Sequence, residues 1–332
     1  MIKGKRERGR GKGKTTSNCP TLPPCPFSLP HAFACLVVLA SVGLTASPAG
    51  SWGTAAHLPQ PLQEMSGAVL HGKIYLLGGI NTSNEATRLA YRYDPATNQW
   101  ERIADLPIER HHMPVVVVND SLYAIGGYEP PTFTPTRTLF LYDEQNNLWL
   151  GRALLPEARG ASAAAAVSGR IVVAGGIGFS GQLDSIAIYD PATDTWRHGA
   201  PIPTLRDHLT GGAVGATFYA IAGRRDGNYD TVEAYDLAAN RWATRHAMPS
   251  KRGGLGSAVL NGMIYTYGGE RPGAYPNHER YDPATDTWAV LPPLPTPRHG
   301  MAVAALNGKI YVIAGGPKQG FAQTDVVEVY TP

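Results

Sequence analysis

The string YDPATDTW occurs twice in this chain, at residues 189–196 and 281–288, 92 residues apart, and YDLAANRW sits midway at 235–242. A tryptophan marks each copy. Trp52, Trp100, Trp149, Trp196, Trp242 and Trp288 follow one another at steps of 48, 49, 47, 46 and 46 residues. Seven residues before each of the last five stands a tyrosine followed by aspartate or its equivalent turn: Tyr93, Tyr142, Tyr189, Tyr235 and Tyr281. Tyr330 ends the series with no tryptophan after it. Before each tyrosine an apolar run closes on two small residues: Gly78-Gly79, Gly126-Gly127, Gly175-Gly176, Ala222-Gly223, Gly268-Gly269 and, in the sixth copy, Gly315-Gly316. Six copies at one period demand a repeat architecture, and that requirement precedes any reading of isolated motifs.

One copy shows what the unit folds into. In the fifth, GLGSAVL is small and apolar, suited to a tightly packed strand. Asn261-Gly262 supplies the residue pair that a two-residue hairpin favours, because both turn positions need positive φ. MIYTYGG is a second strand, aromatic and β-branched. After a variable loop, ERYD and DTWAVLP make a third and fourth strand around the turn PAT. Four short antiparallel strands cannot bury both faces of their sheet alone, so the copies must stack on one another. The expectation is an all-β, six-bladed propeller with four antiparallel strands per blade. Residues 51–58 and 326–330 are complementary fragments, so the N-terminal strand is expected to complete the last blade and close the ring.

Charge separates the repeats from what precedes them. The net charge is +3, but residues 1–14 hold seven Lys or Arg and one Glu, and residues 15–51 hold no charged residue, so the repeats carry −3. The basic surplus belongs to a tail, and nucleic acid is not an expected partner. An apolar run follows at 32–46, and then Ser47, Pro48, Ala49 and Gly50. Basic, apolar and small residues in that order read as a signal peptide over residues 1–50, with residues 51–332 as the exported propeller, periplasmic or extracellular. The alternative is an uncleaved N-terminal membrane anchor; the run is shorter than the roughly 20 residues of a comfortable span, so no stable insertion is expected after cleavage. Cys19, Cys25 and Cys35 all lie in this leader, so the repeats can form neither a disulfide nor a thiolate metal site.

An apolar strand ending in two glycines, then Tyr, then Trp six or seven residues on, resembles the kelch repeat, and the resemblance covers residues 51–332. It implies a kelch-type propeller in which the Gly, Tyr and Trp markers are structural. It also implies that ligands meet the face bearing the loops after the glycine pairs and the lead-ins to the innermost strands. Five lead-ins carry an arginine, Arg110, Arg159, Arg206, Arg252 and Arg298, expected to bond neighbouring-blade backbone or carboxylates; the first blade is read as having Glu64 there instead. Two residues further on, Ser66, His112, Ala161, His208, Gly254 and Gly300 differ between blades, which is where a particular ligand can be specified. His112 and His208, with His111, Asp207 and His299 beside them, form the leading cluster. Glu64, Ser66, Arg224, Arg225, Tyr229, Arg271 and His278 complete the candidate ligand-binding set.

The first functional reading is a non-catalytic, monomeric module binding a protein or glycan at the channel face, with no cofactor and no metal. The second is a carbohydrate-active enzyme, since exported sialic-acid epimerases resemble this chain in being kelch propellers. Glu64, Arg224, Arg225 and His208 would then have to supply a base and a neutralising cation at one carbon. Galactose oxidase is similar in its blades, but its copper site needs a cysteine that the repeats lack.

Overall fold

A computed structural model of the chain describes residues 50–130 and 133–332, so all but Gly50 of the segment expected to be a signal peptide, with all three cysteines, lies outside the described residues. Six four-stranded antiparallel sheets are arranged as the blades of a propeller. The first blade runs Ser66–Leu70, Lys73–Leu77, Ala90–Asp94 and Gln99–Arg102, from the channel outward. Blades two to five repeat this order. The sixth takes three strands from the C-terminus, Ala302–Leu306, Lys309–Gly315 and Thr324–Thr331, and its outermost from Ser51–Thr54. Ser51 pairs with Thr331 and Thr54 with Glu328, so the expected ring closure is present.

Local chemistry explains the unit. Five of the six inner hairpins place positive φ at both turn residues, as at Asn261 (53°) and Gly262 (75°). The innermost strands are small because they converge: a Cβ on Gly256 would come within 2.4 Å of Val303 in the next blade. The apolar cores are wedges between neighbouring blades. One joins Leu70, Tyr75 and Leu77 of the first blade to Met113, Leu122 and Tyr142 of the second.

The glycine pairs divide their work. The first member has φ between 53° and 66°, which alanine tolerates at Ala222 and Ala314. The second has φ between 91° and 121°, and in the first blade a Cβ there would lie 2.9 Å from the Gln63 carbonyl oxygen, so glycine is required. This corrects the sixth pair. Ala314 (53°) and Gly315 (102°) occupy it, and Gly316 is the first residue of the following loop.

The repeated Tyr–Trp hairpin is a clamp on the preceding blade. Each Tyr hydroxyl donates to an Asn or Asp five residues on, as Tyr142 does to Asn147 at 2.7 Å. Asn147 in turn accepts the Ala104 N–H at 2.8 Å, and the Trp149 indole N–H donates to the Ala104 carbonyl at 2.8 Å. The same set recurs at Trp100, Trp196, Trp242 and Trp288. The closing junction is looser: Trp52 reaches only the Pro292 carbonyl, at 3.4 Å, and proline has no N–H for a partner Asn.

Candidate functional site

The channel mouth is built from one left-handed residue per blade. Glu64, His112, Ala161, His208, Gly254 and Gly300 all have φ between 48° and 69°. Each donates its N–H to the carbonyl of the preceding one, and Glu64 donates to Gly300, so six backbone bonds of 2.7–3.0 Å close a ring around the axis. This register corrects the first blade. Glu64 is equivalent to His112, Leu62 stands at the arginine position, and Ser66 lies on the channel wall below. The common bond shows it: Gly315 donates to the Leu62 carbonyl as Gly79 does to that of Arg110.

The five arginines are buried, and their side chains bond within their own blades, not to neighbouring carboxylates. Arg206 meets Glu233 and Arg298 meets Glu328, each at 2.5 Å, and Arg252 pairs with Glu279 in the same way. Thr204, Ser250 and Thr296, two residues before each arginine, bond the other oxygen of the same carboxylate. The arginine backbone serves the neighbour: each carbonyl accepts from the preceding blade's second glycine, and the N–H groups of Arg110, Arg159 and Arg252 donate to the preceding blade's Thr87, Thr136 and Tyr229 carbonyls. These arginines shape the blades and do not face a ligand.

Above the ring, side chains from five blades meet in a closed circuit. Glu64 Oε2 lies 3.2 Å from His112 Nε2, and Glu64 Oε1 lies 3.2 Å from His299 Nδ1. His299 Nε2 is 3.7 Å from Glu270, whose other oxygen takes a 2.6 Å bond from Arg224. Arg224 Nε is 3.7 Å from Asp207, and Asp207 bonds His208. The His208 ring then stacks edge-on against His112, with centroids 5.0 Å apart. Of the sequence candidates, Glu64, His112, His208 and Arg224 come together here. Glu270 joins them, because the residue after each glycine pair faces the lead-in of its own blade.

Protonation follows from the partners. Both nitrogens of His299 face acceptors, Glu64 and the Lys318 carbonyl at 2.9 Å, so both carry hydrogen. Burial disfavours that cation, but the hydrogen bond and charge of Glu64, helped by Glu270, raise its pKa. Burial likewise opposes ionisation of Glu64, yet His112 and His299 outweigh it and hold the carboxyl well below the usual carboxylate range. Burial pushes His111 down to about 4 and His112 well below its ordinary value. Their Nδ1 atoms are 2.5 Å apart, so one ring donates to the other, and His112 Nε2 stands in close polar contact with Glu64 Oε2 at 3.2 Å. His299 is the cation, and burial keeps His112 neutral.

Other candidates lie elsewhere. Arg225 and Arg271 are exposed and border a second cleft, between the loops of blades four and five. Tyr229 is half-buried in its loop and outside the circuit. His278 is corrected outright as a ligand contact: it is buried in the wall of the fifth blade, stacked on Tyr267 at 4.3 Å and edge-on to Tyr330. Two residues of the mouth had no individual signal. Gln63 accepts the Ala322 N–H at 2.9 Å, and Gly316 leaves room for His299, since a Cβ there would lie 2.4 Å from its Nε2.

The chamber beneath the ring is small, about 90 Å³. Among the described residues no group of three or more His, Cys, Asp or Glu is arranged to hold a metal ion, and no helix is long and apolar enough to cross a membrane. The loops after the glycine pairs carry exposed aromatic rings: Phe133, Phe179 and Phe321 are 52%, 77% and 55% exposed.

A family model described as the KLHDC2/KLHL20/DRC7 Kelch-repeats domain matches residues 64–269 and again 112–316. The chain is 33% identical over 177 residues to Kelch repeat and BTB domain-containing protein 12 of Homo sapiens, covering 46% of this chain and 28% of that protein. It is 31% identical over 162 residues to alpha-scruin of Limulus polyphemus, covering 46% and 18%. The chain therefore spans less than a third of either relative. A solved structure titled "Structure of YjhT" superposes with a TM-score of 0.73 at 15% identity, covering 84% of this chain and 97% of that one, which is a likeness of fold.

Proposed function

The chain belongs to the kelch-repeat family, and on that premise we propose that it is an exported module that binds a protein partner through its channel face. Kelch propellers are typically protein-interaction modules. The observation that carries the finer reading is the placement of phenylalanine. Residues 51–332 contain five, and three of them, Phe133, Phe179 and Phe321, stand exposed on loops of the same face. Exposed aromatic rings concentrated on one face are the usual material of interface hot spots. Export rests on the basic, apolar and small segments of the leader.

The enzyme reading has one observation in its favour: Glu64, His112, His208 and Arg224 do meet. Two magnitudes weigh against it. The 90 Å³ chamber is well below the roughly 300–1,000 Å³ of small-molecule pockets. Glu64 is also held ionised far below the pH at which a general base works best. Its carboxylate is also engaged, hydrogen-bonded by His299 and in contact with His112 at 3.2 Å.

The test is cross-linking capture of envelope proteins by residues 51–332, comparing the native sequence with a Phe133→Ala/Phe179→Ala/Phe321→Ala variant. Loss of the captured protein in the variant supports the reading. Equal capture by both would sink it, and a glycan array run alongside shows whether a sugar ligand takes its place. A His112→Ala/His208→Ala variant reports whether the channel mouth itself takes part.

A further inference from the structure

The face of the propeller is not uniform. A cleft of about 490 Å³ opens between the loops of the first two blades, with the sixth-blade loop on its far side. Three carboxylates line it, Glu85, Glu109 and Glu129, and among the described residues neither a lysine nor an arginine does. His111 is also on the wall, but burial keeps its ring neutral at pH 7. Phe133 and Phe321 form its aromatic rim, each more than half exposed.

The three acids are not equally engaged. Glu129 is tied to the buried Arg110 at 2.7 Å. Glu109 has a looser contact, 3.5 Å, with the half-exposed Arg88. Glu85 is exposed, and among the described residues its carboxylate meets only the Asn81 amide at 3.4 Å and no cation. Two aromatic rings beside such a carboxylate suit a flat cation: a guanidinium stacks on ring faces and pairs with carboxylates in a fork. An ammonium matches the charge without the plane. The volume admits one long side chain together with its flanking backbone.

We propose that this cleft is a subsite for an arginine side chain of the protein partner. This rests on the protein-binding reading and names the chemistry of its contact: a partner segment lays an arginine between Phe133 and Phe321, over Glu85 and Glu109. The opposite side of the face differs in sign, since the blade-four and blade-five loops present Arg225 and Arg271, so the subsite also fixes the orientation of the segment.

The experiment is an array of nonapeptides with Arg, Lys, Leu or Glu at the centre and otherwise randomised, probed with residues 51–332. Arginine-centred peptides are expected to be retained preferentially. A Glu85→Gln/Glu109→Gln variant, which leaves the buried Arg110 pair intact, should weaken them about tenfold, as should Phe133→Ala/Phe321→Ala, and salt should weaken the native protein's binding. An Arg225→Ala/Arg271→Ala variant should retain them. Leucine-centred binding unaffected by the carboxylate variant overturns the arginine subsite and leaves the protein-binding reading standing. An array that retains nothing, while envelope protein is still captured through the phenylalanines, overturns the subsite alone; failure of capture as well overturns both.

Discussion

The outer hairpins and the channel mouth solve opposite problems with the same scaffold. At the periphery five of the six junctions between blades are made in the same way, so Tyr, Trp and an Asn or Asp in positive φ recur five times with nearly identical bonds. At the mouth the backbone repeats just as strictly, as a ring of six hydrogen bonds, but the side chains do not. Glu64, His112, His208, Asp207, Arg224, Glu270 and His299 each occur once and interlock in one circuit. Sameness supplies stability and difference supplies a site. The two are separable because the ring's geometry is fixed by backbone bonds and leaves its side chains free to vary.

That comparison can be broken most severely at the closure. Deleting residues 51–58 removes the outer strand of the sixth blade, and the melting temperature should fall on the order of 10 °C or more, read by calorimetry. An unchanged melting temperature would mean that the closing strand is dispensable. Next are the buried charges. Glu279→Gln leaves Arg252 buried without its counter-ion and should cost about 3–5 kcal/mol in denaturant unfolding. Glu157→Gln, at a 41% exposed partner of Arg159, should cost about 1 kcal/mol or less.

The periphery comes third. The tryptophan rings are half-buried, so Trp149→Ala should cost somewhat less than the roughly 3–5 kcal/mol of a fully buried ring. The closing Trp52, with its single long bond, should cost less than Trp149. If Trp52→Ala proves the more damaging of the two, the clamp is not what makes the five regular junctions tight.

Titration of the mouth sharpens the contrast further. His111 and His112 have lowered pKa values, so their contribution is full above the ordinary histidine value of 6.5 and is lost as pH falls toward 4. Glu64, also lowered, adds a loss below about 4.5. His299 is raised, so its contribution is full below 6.5 and is lost as pH rises through its folded value. Stability should therefore decline on acidification between pH 6.5 and 4, by at most about 1.4 kcal/mol per pH unit for each histidine. His112→Asn keeps a residue that tolerates positive φ but cannot titrate, and should flatten that slope in a melting-temperature series. Some slope should remain, because burial also pushes His278, far from the mouth, down to about 4.

The sequence by itself determined the propeller: six copies, four strands each, the clamp of Tyr and Trp, and closure by residues 51–58, of which the structure pairs Ser51–Thr54. All of these are local patterns at a fixed period, and each copy has the same packing problem. It also supplied most of the site's residues, because the lead-ins and the residues after the glycine pairs vary from blade to blade. Single-residue registers were beyond it. A string comparison aligns Glu64 with the arginines and sets the sixth glycine pair one residue late, because it does not see which residue carries positive φ. Only the tertiary structure decided which variable residues meet. His299 and Glu64 are 235 positions apart in sequence and touch only because the ring closes between them, whereas His278, equally polar on paper, is drawn into the wall of its own blade.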